Sequence, residues 1–288
     1  MIGRNDLCWC GSGEKWKKCH WPKEDIASVY KKKHNIIIKN DEQIAGITRA
    51  CKLAATILDE TCKMAVEGIS TEELNIFANK LHYDAGAIPA PLHYGYPPYP
   101  KSICTSINNI ICHGIPDTTT LKDGDILNID VTAILDGYYG DCSRMVSIGT
   151  PSKERQLVVD VSHECLRRSI DILKPGVLLS EIGDVISEYA ESQNCSTVYQ
   201  FVGHGVGIEF HEAPEVQHSR NKRHIPIVQG MIFTIEPMIN AGLPEGIIDN
   251  KDQWTVRTCD GKPSGQWEHT ILITEDGHKV LTAEPLRV

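Results

Sequence analysis

The chain has 288 residues, 41% of them hydrophobic and 23% charged, with a formal net charge of −9. That is enough apolar material for a full core, so one large domain with a small appendage is expected and a disordered or fibrous chain is excluded. No apolar run approaches the roughly 18–20 residues needed to span a bilayer, and the polar start MIGRNDLCWC is no signal peptide, so a cytoplasmic protein with no membrane partner is expected.

In chain order, residues 1–22 are rich in Gly, Cys, Lys and Trp and show neither helical nor strand period. Cys8, Cys10, Cys19 and His20 are four soft donors in a short span, which suits tetrahedral zinc, and a unit this small cannot fold on its apolar content. Gly11 and Gly13 permit the turn between the ligand pairs. A polar, basic connector follows, ending in Lys31, Lys32 and Lys33, so residues 1–33 read as a zinc module with its connector and residues 34–288 as the main domain. Residues 1–33 hold eight Lys/Arg against four Asp/Glu, whereas the remainder holds 21 against 34. A basic front end on an acidic body points to a separate partner for the module. The total of 11 cysteines is odd and the chain has no secretory signal, so reduced, mostly buried thiols are expected rather than a disulfide framework.

From Asp41 to Val66, apolar residues recur at three- and four-residue steps (Ile44, Ile47, Cys51, Ala54, Leu58), predicting a long amphipathic helix. Ser70 with Glu73 forms a capping-box signature for a second helix to about Ala85. The stretch PAPLHYGYPPYP is too rich in Pro and Tyr to be regular. Strands are expected at Ser102–Ser106 and Ile110–Cys112, then at Ile126–Ile134 and Tyr138–Ile148 around the hairpin signal Asp136-Gly137. Helices are predicted over Ser152–Leu173 and Ser180–Gln193, followed by strands at Met231–Glu236, Thr255–Thr258 and Thr270–Thr274. Helices, strands, helices, strands: an α+β domain of two similarly built halves.

Asp130, Asp141, His204, Glu236 and Glu268 are the candidate metal ligands. Four carboxylates and one imidazole suit a pair of divalent first-row ions, because carboxylates bridge and leave an open edge for water. Pairing about Asp136-Gly137 is expected to set Asp130 across from Cys142, with one twisted or bulged step aiming both aspartates at one point. A hairpin carrying two acids is ordinarily a solvated edge, but Asp130 stands in Ile-Leu-Asn-Ile-Asp-Val, where a lone charge is costly. Glu236 closes the apolar run Met231–Ile235 and Glu268 sits in Gln-Trp-Glu-His-Thr, so each needs a partner, a proton or a metal. His204 lies among Gly203, Gly205 and Gly207, where the backbone can approach a ligand closely. His34, His82, His163, His218, His224 and His278 are read as surface or core histidines, and His269 as pointing away from the site.

Five segments together resemble type I methionine aminopeptidases, in register from about residue 40 to the end. They are Ile111-Cys112-His113-Gly114-Ile115-Pro116, the Asp130/Asp141 hairpin, Gly203-His204-Gly205-Val206-Gly207 with Phe210-His211-Glu212, Thr234-Ile235-Glu236-Pro237, and Thr255-Val256 through Glu268-His269-Thr270. The resemblance implies the pita-bread fold, two αβ halves about a pseudo-two-fold axis with two divalent ions (Co, Mn, Fe or Zn) at the centre. It implies that Asp141 and Glu268 bridge the ions, that His204 and Glu236 complete one site, and that Asp130 completes the other. It further implies attack by a metal-bridging hydroxide, with Glu236 as proton shuttle, His211 donating to the carbonyl oxygen and His113 facing the scissile amide. Substrates would be nascent polypeptide N-termini with a small second residue, and the enzyme a monomer. Tyr96, Tyr99, Cys104, Phe210 and Trp254, with His113 and His211, match the family's substrate-binding positions, Tyr94 competing with Tyr96 for one of them.

The first 22 residues resemble the SEC-C motif, with a Cys-His last pair, which implies one structural zinc. Trp9, Trp16 and Trp21 with Lys15, Lys17, Lys18 and Lys31–Lys33 make a surface suited to docking at the ribosome by phosphate contacts, or to binding another protein. Two rivals share the scaffold. An Xaa-Pro aminopeptidase or prolidase carries the same five ligands but a much longer N-terminal domain, and a non-catalytic adaptor would have lost ligands. The short interval between His204 and Glu236 leaves no room for the inserted subdomain of type II enzymes.

Overall fold

A computed structural model describes residues 3–8, 13–19 and 25–283. Four helices come first: α1 (Trp16–Cys19), α2 (Ile26–His34), α3 (Asp41–Met64) and α4 (Thr71–Asp84). Strands β1 (Ile88–Pro89), β2 (Cys104–Ile107), β3 (Ile110–Cys112), β4 (Ile126–Leu135) and β5 (Tyr138–Ser147) complete the first half. The second half starts with α5 (Lys153–Asp171) and α6 (Leu179–Ser192). Strands β6 (Ser196–Thr197), β7 (Gly203–Gly205), β8 (Glu212–Val216), β9 (Ile232–Ile235) and β10 (Met238–Asn240) follow. Last come β11 (Gly246–Ile248), β12 (Val256–Thr258), β13 (Ser264–Gln266), β14 (His269–Ile273) and β15 (His278–Val280).

Local chemistry sets the helix starts. Asn40 and Gln43 form a reciprocal capping box at α3, Ser70 and Glu73 another at α4, and the Ser152 hydroxyl accepts from Arg155 N at α5. In the first half β4 pairs with β1, β2 and β5, and a core of Leu58, Leu74, Leu127, Ile129 and Val131 joins this sheet to α3 and α4. In the second, the sheet β15-β14-β9-β7-β8 shares a core with α5 and α6 through Leu166, Ile182, Phe233 and Ile271. The halves meet where Glu268 N donates to Ser143 O at 3.1 Å and Asn128 Nδ2 donates to Gln266 O at 2.8 Å. The functional site sits on this seam.

Helix α3 lies directly on β5. A Cβ built on Gly140 would stand 2.2 Å from Cys51 N and 2.3 Å from Ala50 C, so only glycine lets helix backbone touch strand there. Gly140→Ala is expected to destabilise the fold by about 1–3 kcal/mol, read as a lower urea midpoint at unchanged slope, and unaltered stability would contradict this packing.

Three differences from the sequence reading concern the connector, β9 and the β4–β5 hairpin. The basic connector ends in a helix, α2, capped by Asp25 and closed by Asn35 in the left-handed region (φ 58°), with Val29 and Tyr30 buried and Tyr30 Oη donating to Pro226 O at 2.8 Å. The apolar residues of α2 are confined to the first five of nine positions, Ile26 to Tyr30, a stretch too short to show a sustained period. Pro237 breaks β9 but does not end strand structure, because β10 resumes directly and pairs with β13 and β6. The β4–β5 register sets Asp130 opposite Ser143 and Thr132 opposite Asp141, one residue off the expected pairing and with no bulge. Asp130 and Thr132 share a face of β4, so Asp141 is the diagonal neighbour of Asp130.

Candidate active site

The five candidate ligands all line one cavity of ≈ 350 Å³. Ligand atoms of Asp141, His204 and Glu268 all lie within 4.8 Å of one another. His204 Nε2 is 3.6 Å from both Asp141 Oδ2 and Glu236 Oε1, too long for hydrogen bonds and suited to donors around a common ion. Asp130 lines the same cavity from the β4 side. Glu268 precedes β14 and Glu236 follows β9; since His269 pairs with Ile235, the two glutamates come level one step past the ladder.

The surrounding groups fit a cation. Burial, with the Asp141 charge adding to it, holds the carboxyls of Asp130, Glu236 and Glu268 well above the ordinary carboxylate range, and burial raises Asp141 to about 7. Four acids packed this closely repel unless a positive charge lies among them. The acceptors are oriented from behind: Thr132 Oγ1 donates to Asp141 Oδ1 at 2.7 Å, Thr234 Oγ1 to Glu236 Oε1 at 2.8 Å, and Gln266 Nε2 to Glu236 Oε2 at 3.1 Å. His204 Nδ1 donates to Gly205 O at 3.0 Å, which leaves Nε2 its lone pair for a metal, and burial lowers its pKa to about 4. The β7–β8 register shifts between His204 and Gly205, and Gly205 passes so close to Ala213 O that a Cβ would meet it at 2.3 Å.

Tyr94, Tyr99, Cys104, His113, Phe210, His211 and Trp254 line the same cavity, Cys104 directly across the β2–β4 ladder from Asp130 and the His211 ring 4.2 Å from that of His204. Tyr94 and Phe210 rings stand 4.9 Å apart, and Tyr99 meets Trp254 edge-on at 5.3 Å. Tyr96, expected at the site, is 95% exposed and does not line the cavity, whereas Tyr94 does. The turn at Gly95 (φ 73°) sends the two tyrosines different ways. His113 sits in the left-handed region (φ 56°) with its ring edge-on to Phe201 and Trp254, a strained backbone that aims the imidazole inward. The Tyr94 hydroxyl is 2.9 Å from His211 Nδ1; donating there, it leaves the imidazole hydrogen on Nε2. Desolvation, then His204 and His113 nearby, lowers the His211 pKa to about 3, so the ring is neutral near pH 7.

Several contributors were not singled out in the sequence. Thr132, Gln200, Phe201, Val202 and Met238 also line the cavity, and their types carry no motif that announces it. His218, read as an ordinary core histidine, is buried directly behind the site and accepts the Glu236 backbone N–H at Nε2, 3.1 Å away. Lys39 and Glu212 form an ion pair of 3.0 Å, their side chains only 1% and 6% exposed, and Glu212 also accepts Ile208 N at 3.0 Å. This pair ties the loop bearing Phe210 and His211 to the start of α3. Lys39→Met is expected to cost about 3–5 kcal/mol by stranding a buried carboxylate, and adding Glu212→Gln should recover part of it. A double-mutant cycle by chemical denaturation that returns no coupling would rule out the pair.

At the N-terminus, Leu7 and Lys15 form a bridge, Cys8 N donates to Glu14 O at 2.6 Å, and Cys19 ends α1. Cys10 and His20, the other two expected zinc ligands, lie outside the described residues, as do Trp9 and Trp21. Cys51, Cys104, Cys112, Cys142, Cys165 and Cys195 are buried, unbridged thiols. Among the described residues no helix is long and apolar enough to cross a membrane.

Residues 45–275 match the metallopeptidase family M24 model, and residues 4–22 match the SEC-C motif. A methionine aminopeptidase of Chlamydia pneumoniae is 56% identical over 285 residues, covering 97% of this chain and 98% of that one. The crystal structure of methionine aminopeptidase from Rickettsia prowazekii superposes with a TM-score of 0.83 at 42% identity, covering 86% of this chain and 99% of that one. An Xaa-Pro dipeptidase from Bacillus anthracis, 22% identical with a TM-score of 0.70 over 87% of this chain and 63% of its own, shares the fold. With two αβ halves, a seam of buried carboxylates and these relatives, the chain belongs to metallopeptidase family M24, with the pita-bread fold, among the methionine aminopeptidases.

Proposed function

We propose that the chain removes the initiator methionine from nascent polypeptides whose second residue is small, with Asp130, Asp141, His204, Glu236 and Glu268 holding two divalent ions. One observation carries this reading: the five ligands line one cavity together with Tyr94, Tyr99, Cys104, Phe210 and Trp254. Two ions held there would supply Lewis acidity and an acidified water. The chain's own residues do the rest. The carboxylate cluster receives the free α-amine, which only a chain terminus has. The aromatic walls and the Cys104 thiol accept an unbranched, polarizable methionine side chain. Glu236, held by Thr234 and Gln266, takes the proton of the attacking water and passes it to the leaving nitrogen. His211 donates from Nε2 as charge develops on the carbonyl oxygen, and His113 faces the scissile amide.

Oxygen-rich donors with one imidazole accept Fe, Mn, Co or Zn alike. We further propose that residues 1–33 form a separate module in which Cys8, Cys10, Cys19 and His20 bind one structural zinc. Its basic surface holds the enzyme, a cytoplasmic monomer, at the ribosome. The SEC-C match at residues 4–22 supports the zinc, and the lysines of that segment support the docking. Metal analysis with turnover of Met-Ala-Ser and Ala-Pro-Ala tests the enzymatic reading. Reconstituted protein is expected to cleave the first peptide and leave the second, and the reverse preference would assign it to the Xaa-Pro enzymes. Ribosome co-sedimentation unchanged by deleting residues 1–33 would remove the docking.

A further inference from the structure

Glu236 stands where the backbone has no strand partner. The β9–β14 ladder ends at Ile235 opposite His269, and β10 starts at Met238, so Glu236 and Pro237 fall between two strands. Pro237 has no N–H to give, and the Glu236 N–H would go unpaired between the buried Ile235 and Pro237. His218 supplies the acceptor. Val216, the last residue of β8, pairs with Gly203, the first of β7, so His218 lies past the start of β7 and reaches the end of β9.

A backbone N–H can only donate, so the imidazole hydrogen sits on Nδ1 and the Nε2 lone pair faces Glu236. The ring is 1% exposed, and among the described residues its Nδ1 finds no hydrogen-bond partner. A buried imidazole with one nitrogen unserved costs stability, so packing alone does not account for a histidine here. What the ring gains in return is the bond to Glu236.

That bond belongs to a chain of contacts ending at a second ligand. Thr234 Oγ1 donates to Glu236 Oε1 at 2.8 Å and accepts His204 N at 2.9 Å. Gly203 makes room for this approach, since a Cβ there would stand 2.5 Å from Thr234 O. Asp141 is braced separately, by Thr132 across the β4–β5 ladder.

We propose that His218 is a positioning residue: by fixing the Glu236 main chain it keeps Glu236 and His204 preset for one of the two ions, and leaves the ion on the Asp130 side unaffected. The inference rests on the two-ion aminopeptidase reading above, in which His204 and Glu236 complete one site and Asp130 the other. His218 does not line the cavity, so it acts through Glu236. Glu236 also carries the proton in that reading, so a loosened main chain slows turnover as well as weakening the ion.

The test titrates full-length, metal-stripped protein with Mn²⁺ by calorimetry, for the wild type and for H218L, H218F and H218Q. It also measures kcat and KM for Met-Ala-Ser at saturating Mn²⁺. Leu and Phe remove the acceptor, whereas Gln keeps one at the reach of Nε2. The wild type is expected to bind two ions. Without the acceptor, one ion should weaken by about 10–100-fold and the other keep its affinity. The kcat should fall by about 10–100-fold while KM changes less than about twofold. H218Q should restore the second ion and much of kcat. A merely structural role would weaken both ions alike and lower Tm of the stripped protein in step, and that result would overturn the assignment. So would unchanged binding in H218L and H218F, or an H218Q protein that folds but loses the second ion, which decides the matter even where Leu and Phe prevent folding. Two ions bound by the wild type without cleavage of Met-Ala-Ser would overturn the aminopeptidase reading instead, and the titration would still decide the role of His218.

Discussion

Stripping divalent metal is expected to abolish turnover and to make thermal stability fall steeply as pH rises. The sign follows from the buried acids. Without an ion, burial and mutual repulsion hold Asp130, Glu236 and Glu268 well above the usual carboxylate range and raise Asp141 to about 7. In the unfolded chain the same groups ionise near 4. Between those limits the folded state binds more protons than the unfolded one, so stability is fully present below about pH 4 and is lost as pH climbs through the folded values. For Asp141 alone the cost by pH 8 is on the order of a few kcal/mol, at about 1.4 kcal/mol per pKa unit. A bound ion removes that cost and adds its own binding free energy to the folded state. Scanning calorimetry of loaded and stripped protein should thus show a gap in Tm that widens by several degrees from pH 5 to pH 8. A stripped protein with the same Tm at both values would show that the carboxylates are not packed together. His204, held to about 4 by desolvation, is neutral throughout this window and ready to ligate.

His211→Ala is expected to lower kcat for Met-Ala-Ser by about 10²–10³-fold with little change in KM, the signature of a donor that acts on developing charge. Tyr94→Phe should have a smaller effect, about 10-fold, because it removes the hydroxyl that keeps the ring hydrogen on Nε2 without removing the ring. The pH profile distinguishes donation from acid catalysis. With a pKa near 3, His211 stays neutral across the working range, so its replacement should scale the profile without deleting a limb. Loss of an acidic limb near neutral pH would recast His211 as a proton carrier.

The capping boxes at Asn40 and Ser70, the hairpin at Asp136-Gly137 and the helices α3, α5 and α6 were readable because each depends on neighbours within about four positions. Strands β7 and β8 were not, because Gly-rich and Pro-containing segments lack a hydrophobic period. Strand β7 is held between β8 on one side and β9, distant in the chain, on the other. Nor could the role of His218 be seen: a buried histidine becomes a support for Glu236 only through a contact between residues 18 positions apart.

By itself the sequence determined which side chains can ligate metal, their order, the α+β succession and the resemblance that names the family. These are properties of residue type and local spacing. Only the tertiary structure decided that Asp130 faces Ser143 rather than Cys142, that Tyr94 rather than Tyr96 meets the cavity, that Lys39 and Glu212 brace the His211 loop, and that His218 reaches the Glu236 main chain. Each turns on a one-residue change in side-chain direction or on a pairing across distant chain, and period-two and long-range geometry of that kind is settled by what packs against it.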